Sequence, residues 1–480
     1  MARLFRLGRA MGVLAICLVM VSTVGVAQAA QSGDFIYVIR DAKKGSVGAG
    51  AYITKYKGKR TSISLPSKIA GSPVVSVKLS GNKKKLTAVN CGAMTSLREF
   101  NMKGNALTAL NLSAAVELRT LEASGNKLQS ITLGAKPNLT RLVVARNSLI
   151  ALDVSASSCP ALDYLDCSSN KIAQFDMRSI PNASVFKCRG NRLERLNAIN
   201  MAKLSYLDVS SNGLTSLLVE WNGALTTLLC SKNKLESLSV LAVPQLSVLK
   251  CSENKLTSLI VAAAGQLKHL DCSSNQLSSL LLTGNPCLER LSVNGNNIEL
   301  LNVTANPKLS YLACGSNKLT LLDLYSNPKL ETLACSGNKL LVLDVSRNTE
   351  LKQLTCGSNQ LVTLYLAANP LLQKLYCGNN KLGFLVTAAN PQLRDLRCEK
   401  NYLTKLNLQA NAKLETLQCQ GNLLCALDIT NNKRLKKVQC EKNLFKSINV
   451  KDLRSLRQLK VSKGVSVSKN TANISIVYVR

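Results

Sequence analysis

The chain has 480 residues and a formal net charge of +34, because 61 lysine and arginine residues outnumber 27 acidic ones. A globular chain of this length would be expected to form about three domains. Beyond residue 29, no run approaches the roughly 20 apolar residues of a membrane helix, so the sequence excludes such a helix there. The charge favours acidic partners, such as anionic glycans, lipid headgroups, nucleic acids or acidic proteins, although a basic surface kept for solubility explains it equally well.

The N-terminus has the pattern of a cleavable export signal. Residues 1–29 contain three arginines within the first nine positions, an apolar run over residues 11–27, and Ala-Gln-Ala at 27–29. This pattern predicts a signal peptide that is cut before Ala30. We therefore expect an exported protein, and the sequence leaves open whether it ends in the periplasm, at the cell surface or outside the cell.

Most of the chain is one short unit repeated. Asparagine recurs at a step of 21 residues that is interrupted once by a step of 23. The positions are Asn105, Asn126, Asn147, Asn170, Asn191, Asn212, Asn233, Asn254, Asn275, Asn296, Asn317, Asn338, Asn359, Asn380, Asn401, Asn422 and Asn443. A second interval of 23 leads back to Asn82, which gives about 18 coils. Such periodicity is typical of a solenoid, so we expect one elongated domain in place of three globular ones.

Each coil contains the same short phrase twice. Around Asn317, residues 309–319 follow the pattern Leu-x-x-Leu-x-Cys-x-x-Asn-x-Leu, and residues 319–330 follow Leu-x-x-Leu-x-Leu-x-x-Asn-Pro-x-Leu. Inward residues two positions apart, with polar residues between them, are typical of strands. The sequence therefore predicts two short parallel strands per coil and, because both long sides then have equal width, a weakly curved rod.

This pattern resembles the leucine-rich repeats of secreted, internalin-like bacterial proteins, and specifically the nested 21-residue class called IRREKO, LxxLxCxxNxLxxLDLxxNxx. The matching residues include Leu165-Asp166-Cys167 with Asn170, and Leu333-Ala334-Cys335 with Asn338 and Leu343-Asp344-Val345. The resemblance covers roughly residues 75–460. It implies a mainly β, right-handed leucine-rich-repeat β-solenoid with a binding or structural role, and it names no partner.

Both ends differ from the repeat array, which is predicted to cover residues 78–458. Residues 30–77 resemble the strand-rich entrance of other bacterial surface leucine-rich repeats, and we expect them to form an N-terminal cap. Residues 459–480 are predicted to be C-terminal cap strands joined through 470–473, which would close the last open sheet edge. Positive charge concentrates near this end, since residues 433–480 hold 13 basic residues against Glu441 and Asp452.

An inward asparagine column follows from the repeat. A side-chain amide has two donors and one acceptor group, so an inward asparagine at a turn can bond backbone groups in its own coil and the next. We therefore assign these side chains a structural role. The assignment covers Asn170, Asn191, Asn212, Asn233, Asn254, Asn275, Asn317, Asn338, Asn359 and Asn380.

Twelve cysteines form a second inward column, three residues before the asparagine. They are Cys167, Cys188, Cys230, Cys251, Cys272, Cys314, Cys335, Cys356, Cys377, Cys398, Cys419 and Cys440. Other coils place alanine, valine or methionine there, so we expect reduced, buried thiols and neither disulfides nor zinc sites. Cys91, Cys159, Cys287 and Cys425 lie off this column and are expected to be more accessible.

No motif in the chain supports catalysis: phosphate-binding loops, dinucleotide fingerprints and nucleophile elbows are absent from the sequence. The one histidine, His269, lies three residues before Cys272, so strand alternation turns it outward while the thiol points inward. Asp323 and Asp344 occupy outward positions on the second strand, where we expect them to pair with lysine, and no calcium-loop motif accompanies them. No enzyme activity, cofactor or metal is therefore predicted.

Outward positions of the first strand vary between coils, as a recognition surface requires. The candidate partner-binding residues are Tyr164, Tyr206, His269, Tyr311, Tyr376 and Arg397. Exposed tyrosines beside positive charge can anchor a protein partner or stack on a sugar, although they can equally be ordinary strand-forming residues. The leading hypothesis is a secreted or surface protein that binds a host or envelope protein through this face.

A basic residue follows the asparagine in many coils and forms a predicted basic edge. Its members are Lys127, Lys171, Arg192, Lys234, Lys255, Lys318, Lys339 and Lys381. A line of this kind can hold an anionic polymer, although charged turn residues in a repeat also arise by duplication. The alternative hypothesis is therefore a polyanion-binding envelope component, whose affinity would fall steeply with salt.

Overall fold

The computed structural model describes residues 30–41, 48–81, 85–469 and 474–479. The predicted signal peptide at 1–29, Asn82 and the predicted turn at 470–473 lie outside the described residues.

One side of the solenoid is a continuous sheet of 24 strands, here called the front sheet. Its four N-terminal strands are Ala30–Ser32, Phe35–Arg40, Gly50–Tyr56 and Lys68–Ile69. The other strands, one per coil, are Ser72–Lys78, Glu99–Asn101, Thr120–Glu122, Arg141–Val143, Tyr164–Asp166, Val185–Lys187, Tyr206–Asp208, Thr227–Leu229, Val248–Lys250, His269–Asp271, Arg290–Ser292, Tyr311–Ala313, Thr332–Ala334, Gln353–Thr355, Lys374–Tyr376, Asp395–Arg397, Thr416–Gln418, Lys437–Gln439, Gln458–Ser462 and Ser475–Val479. The solenoid therefore has about 20 coils, close to the predicted number.

The two ends continue this sheet in different ways. Phe35–Arg40 pairs antiparallel with Gly50–Tyr56, which in turn pairs in parallel with Ser72–Lys78, the first coil strand. At the C-terminal end, Ser475–Val479 pairs in parallel with Gln458–Ser462. This last strand adds a further rung to the front sheet and does not fold across its edge.

The opposite side of the coils, here called the back, is less regular than predicted. Back strands are found at Ser62–Ser64, Ala88–Asn90, Ala109–Asn111, Ser130–Thr132, Arg195–Asn197, Ser216–Leu218, Ser237–Ser239, Ser258–Ile260, Ser447–Asn449 and Ser466–Ser468, in five separate parallel pairs. A short 3-10 helix, Met177–Ser179, interrupts this side. Between Val261 and Lys446, described back segments pair only through a bridge from Leu300 to Leu321. The prediction of two strands in every coil is wrong for these regions.

Asn338 illustrates the bonding of the asparagine column. Its Nδ2 donates to the carbonyl oxygen of Cys335 in its own coil and of Cys314 in the preceding coil, both at 3.0 Å. Its Oδ1 accepts the N–H of Leu319, also in the preceding coil, at 3.1 Å. Cys314 O accepts from Asn317 as well, so each such carbonyl joins two successive asparagines. The inter-coil bonds join each asparagine to the preceding coil and not, as predicted, to the next coil, and they hold successive coils in register.

A second asparagine column lies at the opposite turn and was not assigned from the sequence. Its fully buried members are Asn222, Asn285, Asn306, Asn327, Asn348, Asn369, Asn390, Asn411 and Asn432. Asn327 Nδ2 donates to the carbonyl oxygens of Val303 and Asn306, both at 3.0 Å. In earlier coils a backbone bond, such as Val240 N–H to Ile260 O at 3.1 Å, connects the same side. Carboxamide bonds thus link the coils in the stretch where back strands are missing.

The twelve column cysteines are buried, with at most 1% of each residue exposed. Burial raises the pKa of Cys377 to about 12, so this thiol stays protonated at neutral pH. All described cysteines are free. Cys425 is exposed and Cys287 is half-buried, whereas Cys91 and Cys159 are buried. The expectation that Cys91 and Cys159 are accessible is therefore wrong.

Cys159 and Lys136 are buried because each occupies the inward turn position that asparagine takes in later coils, such as that of Asn327. All three precede a proline. Lys136 is 0% exposed, and its Nζ donates to the carbonyl oxygens of Ser113 at 3.3 Å and Ala135 at 3.1 Å. Burial lowers the pKa of Lys136, because the charged ammonium is removed from water.

Replacing Asn338 by alanine is expected to lower the free energy of unfolding by about 2 kcal/mol. The Leu319 N–H loses its side-chain acceptor, and an unpaired buried donor costs about 1–3 kcal/mol. Asn297, an exposed asparagine two coils earlier, is the matched control, and Asn297→Ala should change stability by less than about 0.5 kcal/mol. Urea unfolding followed by circular dichroism makes the comparison, and equal stabilities of the two variants would contradict the structural role of Asn338.

Stability is expected to rise with pH through the titration of Lys136. Since its pKa is lower in the folded chain, the unfolded chain binds the proton more tightly, and the free energy of unfolding increases from the folded-state pKa up to about 10.5. Lys136→Met should be more stable than the parent at neutral pH and should lack this contribution. Urea unfolding at several pH values measures it, with Lys127→Met as the exposed control; parallel pH profiles for the parent and Lys136→Met would contradict the prediction.

Candidate functional site

The six predicted partner-binding residues all lie on the outer surface of the front sheet. In each three-residue coil strand the central residue, such as Leu312, faces the core, so a neighbour such as Tyr311 faces outward and is partly exposed. The six residues do not form one continuous site. The structure groups them with additional charged residues into three clusters along the sheet.

The first cluster brings Tyr164 and Tyr206 together around Lys187. The three residues lie on consecutive parallel strands. Lys187 Nζ is 5.2 Å from the centre of the Tyr164 ring and 5.1 Å from that of Tyr206, and the Arg141 guanidinium lies 3.7 Å from the Tyr164 ring centre. A hydrogen bond with Tyr164 raises the pKa of Lys187, so its charge is retained.

The second cluster contains His269 and Tyr311, which lie on either side of Arg290 on consecutive strands. The Arg290 guanidinium is 4.1 Å from the centre of the Tyr311 ring. His269 Nε2 lies 4.0 Å from a carboxylate oxygen of Glu289. A shallow groove of about 260 Å³ crosses these strands and also reaches Lys250.

The third cluster consists of Tyr376, Asp395 and Arg397. The Tyr376 hydroxyl donates to Asp395 Oδ2 at 2.7 Å, and Arg397 Nη2 donates to the same oxygen at 2.9 Å. The Arg397 guanidinium is 4.2 Å from the centre of the Tyr376 ring. Burial, with a smaller contribution from Asp395, raises the pKa of Tyr376 to about 12, so the hydroxyl remains a donor.

Sequence reasoning missed the contributions of Arg141, Arg290 and Asp395. A signal for Arg290 was available, because it lies 21 residues before Tyr311 and a step of 21 places it directly beside that ring on the neighbouring strand. The clusters hold aromatic rings in fixed orientations beside cations. Such an arrangement can bind carboxylates and aromatic or apolar groups, and the histidine is not positioned for nucleophilic chemistry, because Cys272 is fully buried behind the sheet.

The predicted basic edge lies at the turn after the front strand, and all eight of its side chains are exposed. Three pairs, Lys171 with Arg192, Lys234 with Lys255, and Lys318 with Lys339, stand on adjacent coils. In the described part of the chain, no carboxylate forms an ion pair with any of the eight. The edge therefore presents uncompensated positive charge to the solvent.

Among the described residues, no three or more histidine, cysteine, aspartate or glutamate side chains come close enough to hold a metal ion. None of the helical segments found there has the length and apolar character to cross a membrane.

The fold defines a leucine-rich-repeat β-solenoid, and solved structures of such proteins match the chain. The functional domain of InlJ from Listeria monocytogenes, which includes a cysteine ladder, has 35% sequence identity and a TM-score of 0.56. The match covers 59% of this chain and 63% of that one, so this chain spans less than two thirds of the InlJ structure. No protein-family model and no curated protein matches the chain.

Two further structures match over more of the chain. YopM from Yersinia enterocolitica WA-314 has 24% identity and a TM-score of 0.76, covering 88% of this chain and 91% of that one. The leucine-rich-repeat protein LIC12759 from Leptospira interrogans has 22% identity and a TM-score of 0.60, covering 72% and 91%. At these identities the likeness concerns the fold alone.

Proposed function

We propose that this chain is a secreted or cell-surface leucine-rich-repeat protein that binds a host or envelope protein through its front sheet and catalyses no reaction. The observation that carries the proposal is the set of three clusters in which a cation lies against a tyrosine ring. These clusters stand on a scaffold whose inward residues hardly change between coils. Export rests on the sequence pattern of residues 1–29.

The geometry favours a macromolecular ligand over a small molecule. The groove beside Tyr311 has a volume of about 260 Å³, below the roughly 300–1,000 Å³ typical of small-molecule pockets. The clusters are instead spread along the sheet on strands about 4.8 Å apart, from Tyr164 to Arg397. Only an extended partner can contact all three at once.

The chemistry of the clusters suits anchoring of a protein surface. A tyrosine has few rotatable bonds, and stacking against a cation such as Arg290 orients it further, so little conformational entropy is lost on binding. Cation–π contacts contribute about 0.5–2 kcal/mol depending on desolvation. A partner that covers Tyr311 and excludes water would strengthen this contact, and acidic groups of the partner would meet the nearby arginine and lysine side chains.

The test begins with a pull-down by the mature chain from host and bacterial extracts, at low and high salt, to obtain the partner. Simultaneous replacement of Tyr164, Tyr206 and Tyr311 by alanine should then weaken binding of the purified partner by at least about 100-fold, since three contacts worth about 1 kcal/mol each suffice for that loss. Calorimetric titration measures the change. Tyr402→Ala, at an exposed turn off the front sheet, is the matched control and should bind like the parent.

The alternative, polyanion binding through the basic edge, is favoured by the eight exposed cations, none of which forms an ion pair with a carboxylate of the described residues. Heparin is a defined probe for it. In that case heparin affinity should fall steeply with salt and survive the triple tyrosine replacement. If the triple replacement leaves binding of the purified partner unchanged, the front-sheet proposal is contradicted. If the same variant also binds heparin in a salt-sensitive way, the basic edge is favoured as the binding surface.

A further inference from the structure

The back of the coils carries an exposed apolar stripe that the core does not use. One large apolar side chain from each of six successive coils contributes to it, and each of these residues is between 58% and 69% exposed. The back stripe consists of Leu281, Leu300, Leu321, Val342, Tyr365 and Val386. The same coils supply separate inward residues, such as Leu322 and Leu324, to the core. The back stripe is therefore not a by-product of core packing.

The length of the back stripe distinguishes it from ordinary surface hydrophobics. Neighbouring coils are about 4.8 Å apart, so six coils give a stripe on the order of 25 Å long. Leu300, Leu321 and Val342 share one repeat position, and Leu281, Tyr365 and Val386 share the position two residues later, which Asp323 and Asp344 occupy in the coils between them. Apolar residues on a monomer surface are normally scattered singly, and contiguous patches mark binding surfaces. Phe384 extends the stripe beside Tyr365, with ring centroids 6.1 Å apart.

The back stripe is locally acidic although the whole chain is strongly basic. Over the back segments 299–305, 320–326, 341–347, 362–368 and 383–389, the charged residues are Glu299, Asp323, Asp344 and Arg347. Arg347 is engaged by Tyr325, with its guanidinium 4.8 Å from the ring centre. In the described residues neither Asp323 nor Asp344 forms an ion pair. The sequence-based expectation that they pair with lysine is wrong.

The two carboxylates border a groove at the middle of the back stripe. The groove has a volume of about 280 Å³, and Leu321, Val342 and Tyr325 line it together with Asp323, Asp344 and the single cation Arg347, so its carboxylates outnumber its cations by two to one. Asp344 Oδ1 accepts the N–H of Ser346 at 2.8 Å, and this bond lowers the pKa of Asp344. Asp323 Oδ1 accepts the N–H of Tyr325 at 2.9 Å. The groove therefore combines aliphatic walls with ionised carboxylate at neutral pH.

We propose that the back stripe docks an amphipathic protein segment whose aliphatic side chains cover the stripe and whose lysine or arginine enters the groove between Asp323 and Asp344. Charge complementarity selects this occupant. A lipid bilayer would desolvate two carboxylates against acyl chains without compensating them. A second copy with the two stripes face to face would bring like-charged carboxylates together.

An α-helix fits the dimensions of this surface. Its pitch is 5.4 Å, close to the 4.8 Å spacing of coils, so a helix along the solenoid places about one turn over each coil. Leucine side chains at spacings of three and four residues would then follow the stripe, and a lysine on the same turn as Asp323 or Asp344 would reach the groove.

The test uses two synthetic helical peptides of about six turns, one with a leucine face flanked by lysines and the other with the lysines replaced by glutamates. Fluorescence anisotropy should show at least tenfold tighter binding of the lysine peptide. Overall charge predicts the opposite preference, because a chain of +34 attracts the acidic peptide, so only the local carboxylates can produce this result. Asp323→Asn with Asp344→Asn should abolish the preference, whereas Asp428→Asn, at the equivalent position of a later coil, should retain it.

The double variant Leu321→Ser, Val342→Ser should bind the lysine peptide at least tenfold more weakly than the parent. Because both side chains are exposed, the thermal unfolding temperature should be unchanged. Equal or tighter binding of the glutamate peptide, or no effect of the double asparagine variant, would overturn the proposal. Two further results would also overturn the proposal if the lysine peptide does not bind. One is binding of phosphatidylglycerol vesicles that requires Leu321 and Val342, and the other is dimerisation, measured by sedimentation, that requires the same two residues. The front-sheet proposal does not depend on any of these outcomes.

Discussion

The register between successive coils, imposed by inward asparagine side chains, is the constraint on which the rest of the structure depends. A carboxamide such as that of Asn338 satisfies carbonyl groups in two coils and one N–H, so one coil cannot slip against the next without breaking the two bonds that cross to the preceding coil, those with Cys314 O and the Leu319 N–H. With register fixed, a given position of the repeat faces the same way in every coil. Leucine and cysteine positions then build the core, and the remaining positions are free to vary.

The two long sides of the solenoid use this freedom differently. At the front, every coil strand pairs with the next, and outward residues such as Tyr311 and Arg290 stack in pairs across neighbouring strands. At the back, the second asparagine column links coils whose back segments are largely unpaired, and outward positions there hold aliphatic residues such as Leu321 and Val342. The front clusters place cations against tyrosine rings and also hold carboxylates such as Asp395, whereas the middle of the back is apolar and carries Asp323 and Asp344, so the two proposed surfaces offer different chemistry to a partner.

Much of the fold follows from the sequence because a step of 21 residues is a direct measure of which side chains are stacked. The front strands, the coil number and the burial of residues such as Cys314 follow from it. Three features did not. Alternation shows that Leu322 faces inward but not whether its backbone pairs with the next coil, so the missing back strands were not foreseen. The inward positions of Lys136 and Cys159 were not predicted, because neither residue is an asparagine and because an insertion moves Cys159 out of the 21-residue step. Contacts such as Tyr376 with Asp395 depend on side-chain conformation, which spacing does not encode.

Residue-by-residue alkylation of the cysteines tests most directly the central claim that the repeat register determines which side chains face inward. In the native, unreduced protein, iodoacetamide followed by peptide mass spectrometry should label Cys425 rapidly and Cys287 more slowly, and should leave the column cysteines such as Cys377 unlabelled. After unfolding without a reductant, every cysteine that the structure describes should react. Native labelling of column cysteines at the rate of Cys425, or thiols that stay unreactive after unfolding because they are paired, would contradict the account.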